Sequence, residues 1–79
     1  MINWKKDYAE YDGEQDGWLG YIGKDILVAE INNRHEMCFL LSPLHVQTYS
    51  SLKAAKRGAE RRLLAWLKDA GLEVKDANS

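Results

Sequence analysis

One stretch, Ser51-Leu-Lys-Ala-Ala-Lys-Arg-Gly-Ala-Glu-Arg-Arg-Leu-Leu-Ala-Trp-Leu67, constrains the fold more than any other part of the chain. Leu52, Ala55, Ala59, Leu63, Trp66 and Ala70 recur at spacings of three and four, so they share one side of a 3.6-residue period. Lys53, Arg57 and Arg61 recur every fourth residue on another side, with Lys56 nearby. An apolar stripe of this kind has to bury itself against something, and in so short a chain a sheet is the partner available. Ser50 or Ser51 suits the N-cap, because a serine hydroxyl accepts from an early helical N–H. Gly71 suits the left-handed residue that ends a helix, followed by Leu72 as its hydrophobic contact. The helix is therefore placed at residues 51–70, and residues 73–79 read as a frayed tail.

Upstream lie three strand candidates, Trp18–Ile22, Ile26–Ile31 and Glu36–Leu41. A short Gly-containing turn, Gly23-Lys-Asp25, separates the first two, and the polar Asn32-Asn-Arg-His35 separates the next pair. Short connections of this kind make an antiparallel meander. Ser42-Pro43 interrupts it, since proline cannot donate to a central ladder. Residues 44–49 are a connector or a short edge strand. Residues 1–17 are ambiguous: Ile2, Trp4 and Tyr8 fit a strand, whereas Trp4, Tyr8 and Tyr11 fit a helix face equally well. The expected fold class is α+β, a three-stranded or four-stranded antiparallel meander (residues 18–41) with one C-terminal amphipathic helix on one face, in one domain spanning residues 1–79.

The strands carry apolar residues in both phases: Leu27, Ala29 and Ile31 against Ile26 and Val28, and Met37, Phe39 and Leu41 against Cys38 and Leu40. One helix covers one face. The other face calls for the N-terminal segment or for a second chain, so a weak homodimer is an expectation.

Charge is unevenly placed. Residues 1–36 carry eight acids and four bases, a balance of −4, and residues 37–79 carry seven bases and four acids, a balance of +3. The net −1 sets the chain apart from a typical nucleic-acid binder, which is basic overall. A single cysteine, Cys38, excludes an internal disulfide and fits a reducing compartment. No apolar run approaches the roughly 18 residues that span a membrane, and the N-terminal residues carry no apolar signal region. A cytoplasmic protein with no membrane association is expected.

Catalytic and metal chemistry find little footing. Asp12-Gly-Glu-Gln-Asp16-Gly17 opens like a calcium loop, but position twelve is Gly23 where a bidentate glutamate belongs. His35, Cys38 and His45 are zinc ligands by type but supply three candidates where a structural site takes four. Ser42, Ser50 and Ser51 lie near His45 without a third orienting group or a nucleophile elbow. Gly13, Gly17, Gly20 and Gly23 match no nucleotide fingerprint. No cofactor and no enzymatic activity are expected.

Two charged sets remain. The segment Asp7-Tyr-Ala-Glu-Tyr-Asp-Gly-Glu-Gln-Asp16 places Tyr8, Glu10, Tyr11, Asp12, Glu14 and Asp16 together, and aromatics among charges suit an interface with a basic protein surface. Lys53, Lys56, Arg57 and Arg61 form the alternative, a basic helix edge suited to nucleic acid. Beside both stands the ordinary reading of solvated, mutually complementary charge.

The pattern Ser51-x-Lys53-x-Ala55-Lys56-x-x-Ala59-x-x-x-Leu63-Leu64 resembles the last helix of double-stranded-RNA-binding domains, which follows a three-stranded meander in that family. Leu52 stands where that family has its first lysine, and Glu60 where it has the second small residue of an Ala pair. A broader resemblance is to small phage and prophage accessory proteins, carried by Trp4, by the Gly20 to Ile31 hairpin and by Ser51-Leu52, Ala55-Lys56, Glu60 and Leu63. Some phage proteins of this size inhibit host defence complexes, including CRISPR complexes. What this second resemblance implies is a non-enzymatic binding protein that occludes a host or phage partner with a charged surface, through the acidic–tyrosine segment.

Overall fold

The computed structural model describes residues 1–7, 17–41 and 43–72. Five strands precede one helix: β1 (Asn3–Asp7), β2 (Gly17–Ile22), β3 (Ile26–Ile31), β4 (Glu36–Phe39), β5 (His45–Thr48) and α1 (Leu52–Asp69). All neighbouring strands are antiparallel, and their order in the sheet is their order in the chain. The architecture is the expected α+β meander with a C-terminal helix, enlarged from three or four strands to five. Asn3–Asp7 is a strand, which resolves Ile2 and Trp4 in favour of period two. Tyr8 and Tyr11 lie outside the described residues. His45–Thr48 is an edge strand within the 44–49 segment.

Local chemistry sets the helix ends. Ser51 Oγ accepts from Ala54 N at 3.0 Å. At the other end Gly71 takes a φ of 77°, Gly71 N donates to Lys68 O at 3.0 Å, and Leu72 N donates to Leu67 O at 2.8 Å. This paired closure satisfies carbonyls that the last turn would leave orphaned, and it needs the left-handed backbone that glycine adopts freely. In the β3–β4 turn, Asn32 Oδ1 accepts from Arg34 N and Glu36 N. The left-handed residue there is His35, with a φ of 63°, and neither asparagine adopts a positive φ.

The register explains the two-phase apolar pattern. Gly20 pairs with Ala29 and Tyr21 with Leu27, so Val28 has no partner of its own. The resulting bulge turns consecutive residues toward one face. Val28 and Ala29 are both fully buried, and the alternation reverses on passing the bulge. Ile26 and Val28 therefore share the face of Ala29 and Ile31 and do not oppose it. Met37 and Phe39 join them, and Ala55, Ala59 and Leu63 close the core from the helix side. The opposite face keeps Leu19, Tyr21 and Cys38 in a half-exposed row broken by Lys5, Glu30 and Glu36. Such a mixed surface weakens the packing argument for a homodimer. Among the described residues, no helix is long and apolar enough to cross a membrane.

The helix lies over β3 and β4. The inner faces of the outer strands extend beyond it on both sides, and the two flanks are finished differently.

Candidate functional site

On the β1–β2 side the flank is closed by aromatic side chains. Trp4 and Trp18 face inward from neighbouring strands and pack on the core. Gly20 makes room for them: a Cβ there would lie 2.7 Å from Trp4 Cζ3 and 2.8 Å from Ile2 Cγ2. Lys56 comes down from the helix with Nζ 3.9 Å from the Trp18 ring centre and 5.9 Å from that of Trp4. Glu60, one turn on, accepts from Ile2 N at 2.7 Å and lies 3.6 Å from the Met1 amino group. Lys56 is thus half-buried and engaged with aromatic faces, a contact worth about 0.5–2 kcal/mol depending on exposure.

The β5 side stays open. Phe39 pairs with His45 and Met37 with Gln47, so His45 and Gln47 face inward, and Tyr49 continues that phase. Between them and the helix runs a shallow groove of about 290 Å³, whose helix wall is Gly58, Arg61, Arg62 and Ala65. Gly58 is the hinge of this arrangement. A Cβ on it would sit 2.1 Å from the Tyr49 hydroxyl oxygen, so only glycine lets the tyrosine lie against the helix backbone. Glycine in mid-helix costs about 1 kcal/mol relative to alanine, and here a packing reason offsets it. His45 Nε2 and Gln47 Oε1 are 3.3 Å apart. Among the described residues no carboxylate lines the groove. Asp69 borders a smaller depression beside it, shared with Arg62, Phe39, Pro43 and Trp66.

The remaining basic residues read from the sequence divide by position. Lys53, Arg57 and Arg61 are exposed, as the four-residue spacing predicts. None of them, nor Arg62, is ion-paired among the described residues. Lys56 is the exception to the row, turned onto tryptophan. Arg62, Gln47 and Tyr49 join the site without having been read as candidates from the sequence, and His45 joins it in a setting other than the zinc one its type suggested. The period-two spacing of His45, Gln47 and Tyr49 marks them as one strand face, but nothing in it says that the helix stands opposite.

Tyr8, Glu10, Tyr11, Asp12, Glu14 and Asp16 lie outside the described residues, between Asp7 and Gly17, which face each other at the ends of β1 and β2. The three zinc-type side chains do not converge: Cys38 pairs with Val46 on the outer face, whereas His45 faces inward. Among the described residues no group of three or more potential ligands could hold a metal. Ser51 is committed to the helix cap. Burial pushes the Cys38 thiol up from its ordinary pKa, and the carboxylates of Glu30 and Glu36 push it further. That is the environment of an unreactive thiol.

Comparison with known proteins finds no matching family model, no similar curated protein and no similar solved structure.

Proposed function

We propose that this chain is a non-enzymatic cytoplasmic binding module whose ligand is a nucleic acid, held along the outer and β5-facing sides of α1. The observation that carries this reading is the cluster of Lys53, Arg57, Arg61 and Arg62, none of them ion-paired among the described residues. Charged helix faces are common, but such residues usually find acids three or four positions away. Here Glu60, the acid nearest in sequence, is turned to the other flank and bound to the N-terminal backbone. The rest of the row is left to neutralise phosphates and release their counterions. The net charge of −1 reflects acids elsewhere in the chain, and a local cationic stripe is enough for steering. The resemblance to the last helix of double-stranded-RNA-binding domains points the same way for Lys53, while Lys56 is withdrawn from the contact set by Trp18.

Fluorescence anisotropy with duplex RNA and duplex DNA over a salt series tests it. Binding is expected, with log K falling against log salt at a slope of roughly −3 for three to four phosphate contacts. Lys53→Gln, Arg57→Gln and Arg61→Gln together should remove it. Amide replacements of Glu10, Asp12, Glu14 and Asp16 should leave it intact. No nucleic-acid binding, together with capture of a basic protein that the amide variants lose, would overturn this reading. The acidic–tyrosine segment would then be the working surface, as in a phage inhibitor of a host defence complex.

A further inference from the structure

The groove between β5 and α1 holds more than a continuation of the basic row. Its helix wall supplies two guanidinium groups from consecutive residues, Arg61 and Arg62. Its strand wall supplies an imidazole, an amide and a phenol from His45, Gln47 and Tyr49, at alternate positions of one strand and its continuation. Gln47 carries an amide NH2 and Tyr49 a phenol O–H, and both can donate to an anion. Among the described residues lining the groove, the two guanidinium groups, the Gln47 amide and the Tyr49 phenol can each donate a hydrogen bond, and no acid stands among them. Its volume of about 290 Å³ falls at the lower edge of small-molecule pockets, which run from about 300 Å³, and it is open on one side. A small anionic group fits such a place better than an enclosed molecule does.

We propose that this groove is a phosphate-binding subsite, with Arg61 and Arg62 gripping the anion from the helix and His45, Gln47 and Tyr49 facing it from the strand. Guanidinium forks match phosphate oxygens two at a time, which a lysine point charge does not. Gly58 belongs to the device, since a Cβ there would collide with the Tyr49 ring and hydroxyl and displace the tyrosine from the groove wall. The proposal deepens the nucleic-acid reading and rests on it only for the source of the phosphate: a terminal phosphomonoester of a bound strand, with Lys53 and Arg57 following its backbone, as against free phosphate.

The test is an amide chemical-shift titration of the full chain with three probes at fixed ionic strength: inorganic phosphate, a short duplex without terminal phosphates, and the same duplex 5′-phosphorylated. Inorganic phosphate should move the amides of Gln47, Tyr49, Arg61 and Arg62. The phosphorylated duplex should bind at least about tenfold more tightly than its unphosphorylated twin, the scale of a charge-assisted bidentate contact. Arg62→Gln should remove both effects. Lys24→Gln, an exposed charge on the β2–β3 turn, should change neither. Groove shifts with inorganic phosphate but no binding of either duplex would remove the nucleic-acid reading and keep the subsite, with free phosphate as its source. Duplex binding that ignores the terminal phosphate, with no groove shifts from inorganic phosphate, would overturn the subsite and keep the reading. Phosphate shifts spread over the basic face and unchanged by Arg62→Gln would also overturn it.

Discussion

The two flanks of α1 use the same kinds of residue for opposite ends. On the β1–β2 side a cation, Lys56, is brought down onto Trp18 and Trp4, and an acid, Glu60, is tied to the backbone of Ile2. On the β5 side two cations, Arg61 and Arg62, stand opposite polar strand residues with no acid between them among the described residues. The difference lies in what the strands offer. Tryptophan gives a lysine a face to cover, so its charge contributes to folding. On the β5 side, among the described residues, neither arginine lies over an aromatic ring, so its charge is left for a ligand. Charge on a helix surface therefore has no meaning of its own here until the strand beneath it is known.

The comparison can be broken first at the ridge that both flanks share. Leu63 is fully buried, and Leu63→Ala should cost roughly 2–5 kcal/mol. Urea denaturation measures this, and a wild-type midpoint would mean that the helix does not sit as described. Next in size is Gly58→Ala. Filling the space against Tyr49 should destabilise by about 1–3 kcal/mol despite alanine's better helix propensity. In a Tyr49→Ala background the same change should reverse sign and stabilise by up to about 1 kcal/mol. Equal effects in both backgrounds would show that the tyrosine does not need the glycine.

The cations sharpen the contrast. Lys56→Gln should cost about 0.5–2 kcal/mol through lost contact with tryptophan. Arg57→Gln should stay within about 0.5 kcal/mol, as exposed substitutions do. Equal costs in thermal melts would erase the distinction between a folding cation and a binding one.

The smallest effect belongs to the outer face. The raised pKa keeps the Cys38 thiol protonated, so at mildly alkaline pH it should react with iodoacetamide more slowly than in urea-unfolded chain. The folded state holds this proton to a higher pH than the unfolded state does. The associated stability is thus complete below the unfolded thiol pKa and is lost as pH rises through the raised one. Equal alkylation rates would place Cys38 in open solvent.

Much of the helix was legible from residue identity alone. Ser51, Leu63 and Gly71 each do locally what their types predict. The middle strands were legible as elements but not in phase, because nothing at Val28-Ala29 marks a bulge: no glycine or proline stands there, and one unpaired residue moves Ile26 and Val28 to the other face. The polar inner face of β5 escaped detection for the converse reason. Its apolar residue, Val46, is 51% exposed on the outer face, while His45 and Gln47 point inward. Alternation read as apolar-in assigns that strand backwards. The groove joins residues 45–49 to residues 58–65, and Lys56 meets tryptophans from the far end of the chain. Neither juxtaposition leaves a trace in local spacing.

Because the strands lie in the sheet in chain order, each one after β1 pairs with the strand that precedes it in the chain, and none of these has to wait for a later element to find its first partner. The element that covers the core comes last. During synthesis from the N-terminus, Val28, Ile31, Met37 and Phe39 face water until Ala55, Ala59 and Leu63 arrive. The nascent sheet therefore passes through an interval in which its inner surface is apolar and open to other chains. Substitutions that weaken the helix, even those that leave the finished protein stable, should show their first effect as lower soluble yield.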